Sequence, residues 1–216
     1  MIDELTLKNR EPLSSLVLYR FAKWSILSPM LNIYFRGRVY GIENIPQSGS
    51  YIVVCNHASN LDPPILGIST CRPVSFMAKE ELFHVPVLKN LIYLYGAYPV
   101  KRTAGDRAAI KSAIKFLNQG WLVGIFLEGT RTNDGKVNEP KLGAALIAAK
   151  TQTPIIPASI WGTEKNNASS NLIFPTPITI RFGEIIPPPQ SKKKEDLQAY
   201  TDGLAEIINQ MHALGR

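Results

Sequence analysis

A histidine and an aspartate, His57 and Asp62, stand just beyond the apolar run Tyr51-Ile52-Val53-Val54-Cys55, with four residues between them. An imidazole titrates near neutrality and can take a proton from an alcohol when a carboxylate fixes its tautomer and stabilises the imidazolium that forms. The apolar run is short and β-branched, so it reads as a buried strand, and a strand's exit is where a rigid scaffold presents reactive side chains to a loop. Asp62-Pro63-Pro64 ahead of Ile65-Leu66-Gly67-Ile68 is also a helix start, with Asp62 as N-cap and Pro63 at the first helical position. A cap accounts for Asp62 and leaves His57 unexplained. A helix starting at Asp62 leaves a loop short enough to bring the two side chains together.

Three further stretches carry chemical possibilities. Tyr98-Pro99-Val100-Lys101-Arg102 sets two cations after a strand. Arginine's planar fork makes paired hydrogen bonds to phosphate oxygens, and Lys101 adds a point charge, although an exposed basic pair would look the same. Phe126-Leu127-Glu128-Gly129-Thr130-Arg131 follows another apolar strand. A bend at Gly129 can aim amides, Thr130 and Arg131 at an anion, while Glu128 can orient an arginine or accept from a substrate hydroxyl. The plainer reading is an ion pair at a turn. Thr153-Pro154-Ile155-Ile156-Pro157 is apolar and proline-edged, suited to a pocket wall or the start of a strand rather than to chemistry.

The elements that must hold these residues alternate. Residues 35–40, 51–55, 74–78, 97–100, 122–127, 154–160 and 178–182 read as strands. Helices are marked by Ile110, Ala113, Ile114 and Leu117, by residues 142–149, and by Leu197, Tyr200, Leu204, Ile207, Ile208 and Met211. This predicts an α/β fold: a single domain with a largely parallel mixed sheet flanked by helices, spanning residues 37–216.

Residues 1–36 form a different region. The stretch 13–35 is strongly apolar, but Arg20 and Lys23 interrupt it and Ser28-Pro29 is expected to break it. Neither half supplies the roughly 20 apolar residues that span a bilayer. The pattern predicts an amphipathic helical hairpin lying at a membrane surface. Leu16, Val17, Phe21, Trp24 and Leu27 would enter lipid, Tyr19 and Trp24 would anchor the interface, and Arg20 and Lys23 would meet lipid phosphates. A helix packed on the protein's own core is the competing reading. Asp3, Glu4 and Glu11 argue against a cleaved signal peptide.

Composition sets the bounds. A chain of 216 residues with 45% hydrophobic content can bury a sizeable core in one domain, and a formal net charge of +7 favours an anionic partner. The basic residues are dispersed without interleaved aromatics, so nucleic acid is not expected. Cys55 and Cys71 lie in or near apolar segments with no metal-ligand spacing, which suits two buried thiols in a reducing compartment. Cys55 and His57 could alternatively form a Cys-His hydrolase pair.

Taken together, NHASNLD at 56–62, GAYPVKR ending at Arg102, FLEGTR at 126–131 and TPIIP at 153–157 resemble, in order and spacing, the four motifs of the glycerolipid acyltransferase family. The resemblance covers residues 41–160. Leu127 stands where the family usually has proline, and Tyr98 and Pro99 replace more typical residues, so Arg102 alone carries over from the second motif. The resemblance implies transfer of a fatty acyl group from an acyl thioester to the 2-hydroxyl of 1-acylglycerol 3-phosphate (lysophosphatidic acid), giving phosphatidic acid for phospholipid synthesis. His57 and Asp62 would be catalytic, and Arg102, Glu128, Gly129, Thr130 and Arg131 would bind the acceptor. No metal or cofactor is implied; the donor would be acyl-carrier protein or acyl-coenzyme A, and the enzyme would work at a membrane's cytoplasmic face. Another lysophospholipid acceptor, or a non-catalytic module binding anionic lipid, is the alternative.

Overall fold

Tyr51–Cys55 is the strand on which everything else is laid, and its sequence explains why. Four of its five residues are fully buried, because an apolar β-branched run can be covered on both faces and paired on both edges. The computed structural model describes residues 17, 19–21, 23–79, 84, 98–100, 106–165 and 175–216. Among them, seven strands form one sheet: β1 (Arg38–Tyr40), β2 (Tyr51–Cys55), β3 (Val74–Lys79), β4 (Tyr98–Val100), β5 (Leu122–Phe126), β6 (Ile155–Trp161) and β7 (Thr179–Phe182). Their spatial order is β1-β7-β6-β2-β5-β3-β4. β6 and β7 pair antiparallel, and the other described pairs are parallel. The expected largely parallel mixed sheet is therefore present, with strand limits within three residues of those read from the sequence.

Side chains alternate along β2. Val53 and Cys55 join the core that includes Ile65, Leu66 and Ile68 of helix α1 (Asp62–Ser69), together with Leu31 and Phe35. Ile52 and Val54 face the opposite core, built with Ala113 and Leu117 of α2 (Asp106–Leu117), Ile147 of α3 (Gly143–Thr151) and Leu204 and Ile208 of α4 (Lys194–Ala213). Gly124 on β5 admits close approach: a Cβ there would lie 2.1 Å from the Phe76 ring. Cys55 pairs with Phe126 on one side and Ala158 on the other. That register brings the exits of β2, β5 and β6 together at one end of the sheet, where ligand sites of parallel α/β sheets form.

The N-terminal region departs from expectation at three points. Ser28 and Pro29 do not break the chain; it is helical from Lys23 through Tyr34, with π-type turns at Lys23–Leu27 and Met30–Tyr34 on either side. A change of hydrogen-bonding register there accommodates a residue without an N–H. Tyr19 is not an interfacial anchor: it is buried, and its hydroxyl donates to the Thr70 carbonyl. Lys23 turns to the same place, donating to Thr70 O at 2.5 Å and to the Tyr19 hydroxyl at 3.2 Å, and burial holds its ammonium below the usual lysine range. Four residues apart, Tyr19 and Lys23 share a helix face, and two donors at the end of α1 satisfy a carbonyl that the helix leaves unpaired. Val17, Phe21 and Trp24 are exposed, as is Arg20; Leu16 lies outside the described residues, as does the side chain of Leu27.

Candidate active site

The loop leaving β2 is fixed at its first residue. Asn56 is buried, and its side-chain amide donates to Ile160 O at 2.9 Å and Gly135 O at 2.6 Å, while its carbonyl oxygen accepts from Ile160 N at 2.8 Å. One side chain thus joins the exit of β2 to the exit of β6 and to the connection after β5. The sequence motif contains Asn56 but assigns it no role. Its importance rests on partners 79 and 104 residues away.

His57 follows, held on three sides. Its Nδ1 lies 2.8 Å from Asp62 Oδ2. The same oxygen accepts from Ala58 N at 2.7 Å and Ser59 N at 2.8 Å, so Asp62 closes the loop as well as gripping the imidazole. This corrects the capping role. Helix α1 begins at Asp62, with Leu61 as its N-cap, and the Asp62 carboxylate turns back to the loop rather than onto the helix's free N–H groups. Asp62 is wholly buried, whereas the His57 side chain keeps 16% of its surface exposed. An ionised carboxylate can only accept, so Nδ1 carries the proton and Nε2 presents a lone pair. Nε2 makes no hydrogen bond to a described residue.

The imidazole plane is set by Phe126, whose ring stacks on it at 4.0 Å between centroids and 16° between planes. Phe76 stacks behind Phe126 at 5.7 Å. Phe126 ends β5 opposite Cys55, so the strand register delivers it beneath His57. The backbone of His57 is tied down too, its carbonyl accepting from Thr132 N at 2.8 Å.

The turn after β5 lies alongside. Gly129 adopts a φ of 71° with its N–H donating to Phe126 O at 3.0 Å, and a Cβ placed there would meet nothing within 4 Å. The glycine is therefore required by its backbone angle and not by crowding. Gly129, Thr130 and Arg131 are exposed. Glu128 differs: it is buried, and its carboxylate accepts from Asn138 N at 2.8 Å, bracing the far side of the same connection. Lys101 and Arg102 lie outside the described residues. The proline-edged stretch 153–157 starts β6 at the opposite end of the sheet from His57, since Ile155 pairs with Ile52. It is a strand start, not a pocket wall.

Cys55 is fully buried in the α1-side core, where burial pushes its thiol well above the ordinary value. A thiol so placed is a poor nucleophile, which removes the Cys-His alternative. Cys71 is half-buried rather than enclosed. Among the described residues no helix is long and apolar enough to cross a membrane.

Residues 36–161 match the profile of the acyltransferase family. The chain is 29% identical over 201 residues to the 1-acyl-sn-glycerol-3-phosphate acyltransferase of Bacillus subtilis, covering 90% of this chain and 96% of that one. It is 33% identical over 144 residues to the protein of the same name from Borreliella burgdorferi, covering 66% of this chain and 57% of that one. The crystal structure of the 1-acyl-sn-glycerophosphate (LPA) acyltransferase PlsC from Thermotoga maritima superposes with a TM-score of 0.68 at 28% identity, covering 89% of this chain and 82% of the other. The chain thus spans nearly the whole Bacillus relative but little more than half of the Borreliella one.

Proposed function

The chain belongs to the acyltransferase family, and from that premise we propose that it transfers a fatty acyl group from an acyl thioester to the 2-hydroxyl of 1-acylglycerol 3-phosphate. The observation that carries this reading is the 2.8 Å bond from His57 Nδ1 to a buried Asp62, which leaves Nε2 open to an alcohol. Nε2 takes the hydroxyl proton as the oxygen attacks the thioester carbonyl; the tetrahedral adduct then expels thiolate, which receives that proton from the imidazolium. Donor thiol and phosphatidic acid leave, and His57 returns to its starting state. General-base help of this kind is worth about 10²- to 10⁴-fold, with alignment of the two substrates supplying more.

The acceptor's phosphate is assigned to the exposed turn Gly129-Thr130-Arg131, with Arg102 as the second cation and Glu128 holding the turn in shape. The donor is assigned as acyl-carrier protein or acyl-coenzyme A, both acidic and suited to a chain of net charge +7. No step of this route calls for a metal.

The acceptor is a lipid, so the enzyme must meet it at a bilayer, and withdrawing its chain would cost about 0.8 kcal/mol per methylene. Residues 1–36 are assigned this contact. Val17, Phe21 and Trp24, spaced four and three apart, form a stripe with 67%, 68% and 73% of their surface exposed. A membrane's cytoplasmic face is the proposed location. Purified protein offered a panel of lysophospholipids with both donor types, and products identified by mass spectrometry, tests the activity. Product that forms equally with His57→Ala would sink the general-base assignment, and no product at all with vesicle binding retained would favour a lipid-binding module.

A further inference from the structure

The connection between β5 and α3 carries the acceptor turn, yet it has no regular secondary structure of its own from Thr130 to Lys141. Such a segment keeps one shape only if its backbone groups find partners. Part of the support comes from within. The Thr132 hydroxyl donates to Lys136 O at 2.9 Å, Lys136 N donates to Asp134 Oδ1 at 3.1 Å, and Asn138 N donates to Glu128. The catalytic loop supplies another part, through His57 O to Thr132 and Asn56 to Gly135 O.

The remaining support comes from the C-terminal helix, a region the motifs do not reach. Val137 N donates to Asn209 Oδ1 at 2.8 Å, and Asn209 Nδ2 donates back to Val137 O at 2.9 Å. A side-chain amide has here paired with a peptide unit on both its donor and its acceptor edge, as a neighbouring strand would. Val137 is buried in the same core as Leu204, Ala205 and Ile208 of α4. One turn on, His212 packs under Gly135: a Cβ there would sit 2.7 Å from His212 Nε2, and the backbone has a φ of 70°. His212 Nε2 in turn lies 3.8 Å from Glu164 Oε2.

Position along the connection makes this pairing matter for the site. Val137 stands between Lys136, whose carbonyl holds Thr132, and Asn138, whose N–H holds Glu128. Fixing Val137 therefore fixes both residues that flank the turn 129–131. We propose that Asn209 is a positioning residue for acyl transfer: by pairing with Val137 it holds the acceptor turn at its working distance from His57. This rests on the reading of residues 129–131 as the acceptor's phosphate site.

Asn209→Leu removes both hydrogen bonds at nearly constant volume, and Asn209→Asp keeps the acceptor but loses the donor. In the full chain, the KM for 1-acylglycerol 3-phosphate should rise about tenfold in the leucine variant and about threefold in the aspartate variant. The donor's KM and kcat should stay within about twofold. Amide hydrogen exchange gives a readout independent of substrate: in Asn209→Asp, protection should fall at Thr132 and Asn138 as well as at Val137. A fall confined to Val137, whatever happens to the Tm, would reduce Asn209 to a packing residue and overturn the proposal. If the exchange spreads as expected while the acceptor's KM does not move, the coupling stands and the phosphate assignment is what fails.

Discussion

The loop that carries His57 and the turn that carries Arg131 lie side by side, yet they are built in opposite ways. Around His57 four handles are taken while Nε2 stays open: Nδ1 by Asp62, the ring face by Phe126, the carbonyl by Thr132, and the preceding side chain by three backbone groups. Gly129, Thr130 and Arg131 are themselves exposed, and the support falls on the residues either side. A base must be oriented before the substrate arrives, since its contribution depends on geometry in the transition state. An anion site gains by keeping its donors unpaired until an anion supplies the acceptors. The contrast therefore predicts separate kinetic signatures, with rate governed by the first region and acceptor affinity by the second.

The largest effect belongs to His57. His57→Ala should remove transfer by about 10²- to 10⁴-fold while the Tm changes little, because the side chain lies at the mouth of the site. Asp62→Asn should approach the same loss, since an amide can offer Nδ1 an N–H where the base needs an acceptor. Single-turnover rates measured with saturating acceptor are the check. Retention of more than about a tenth of the rate in His57→Ala would end the general-base assignment.

Next in size is Arg131→Ala, which should raise the acceptor's KM about tenfold and leave kcat nearly intact. If the donor's KM rises instead, the two regions serve different substrates from those assigned, and the turn belongs to the acidic donor.

Much of this was legible in the sequence, and the limits have physical causes. The strands could be read because β-branched apolar runs such as 51–55 and 122–126 suit little else, and the parallel plan followed from the helices between them. The His57–Asp62 pair could be read because one short loop separates its members. Phe126 could not be placed under His57, since that depends on the register of β2 against β5, which no local pattern encodes. Asn209 lies 72 residues from Val137 and occupies an ordinary helical position. Lys23 departs from expectation for another reason. Its three-residue spacing from Arg20 suggested a shared lipid-facing side, but its four-residue spacing from Tyr19 aligned it with the buried Thr70 carbonyl.

A smaller effect is expected at the N-terminal helix, where the comparison is between its two faces. Phe21→Ser with Trp24→Ser removes exposed apolar surface and leaves Tyr19 and Lys23 docked on α1, so the Tm should hold. Affinity for anionic vesicles should fall about tenfold or more, and turnover of long-chain acceptor in those vesicles should fall with it. Activity on a short-chain, water-soluble acceptor should survive. A double variant that sediments with vesicles like the parent would place the membrane contact elsewhere.

The smallest effect should come from Cys55→Ala. The residue is two positions from His57 and would share its face if the strand continued, but β2 ends at Cys55, whose side chain lies in the core with Ile65 and Leu66. Its thiol is pushed up by burial and by the nearby Asp62 charge, both of which disfavour the thiolate an acyl-enzyme route would need. Replacement with alanine removes one sulfur from a packed interior, a cost of about 1 kcal/mol that should appear as a slightly lowered Tm. The rate should remain within about twofold of the parent, and the parent should trap no acyl group on protein when quenched during turnover. An acylated Cys55 peptide in the digest, or a loss comparable with that of His57→Ala, would replace direct transfer by a two-step route through the enzyme.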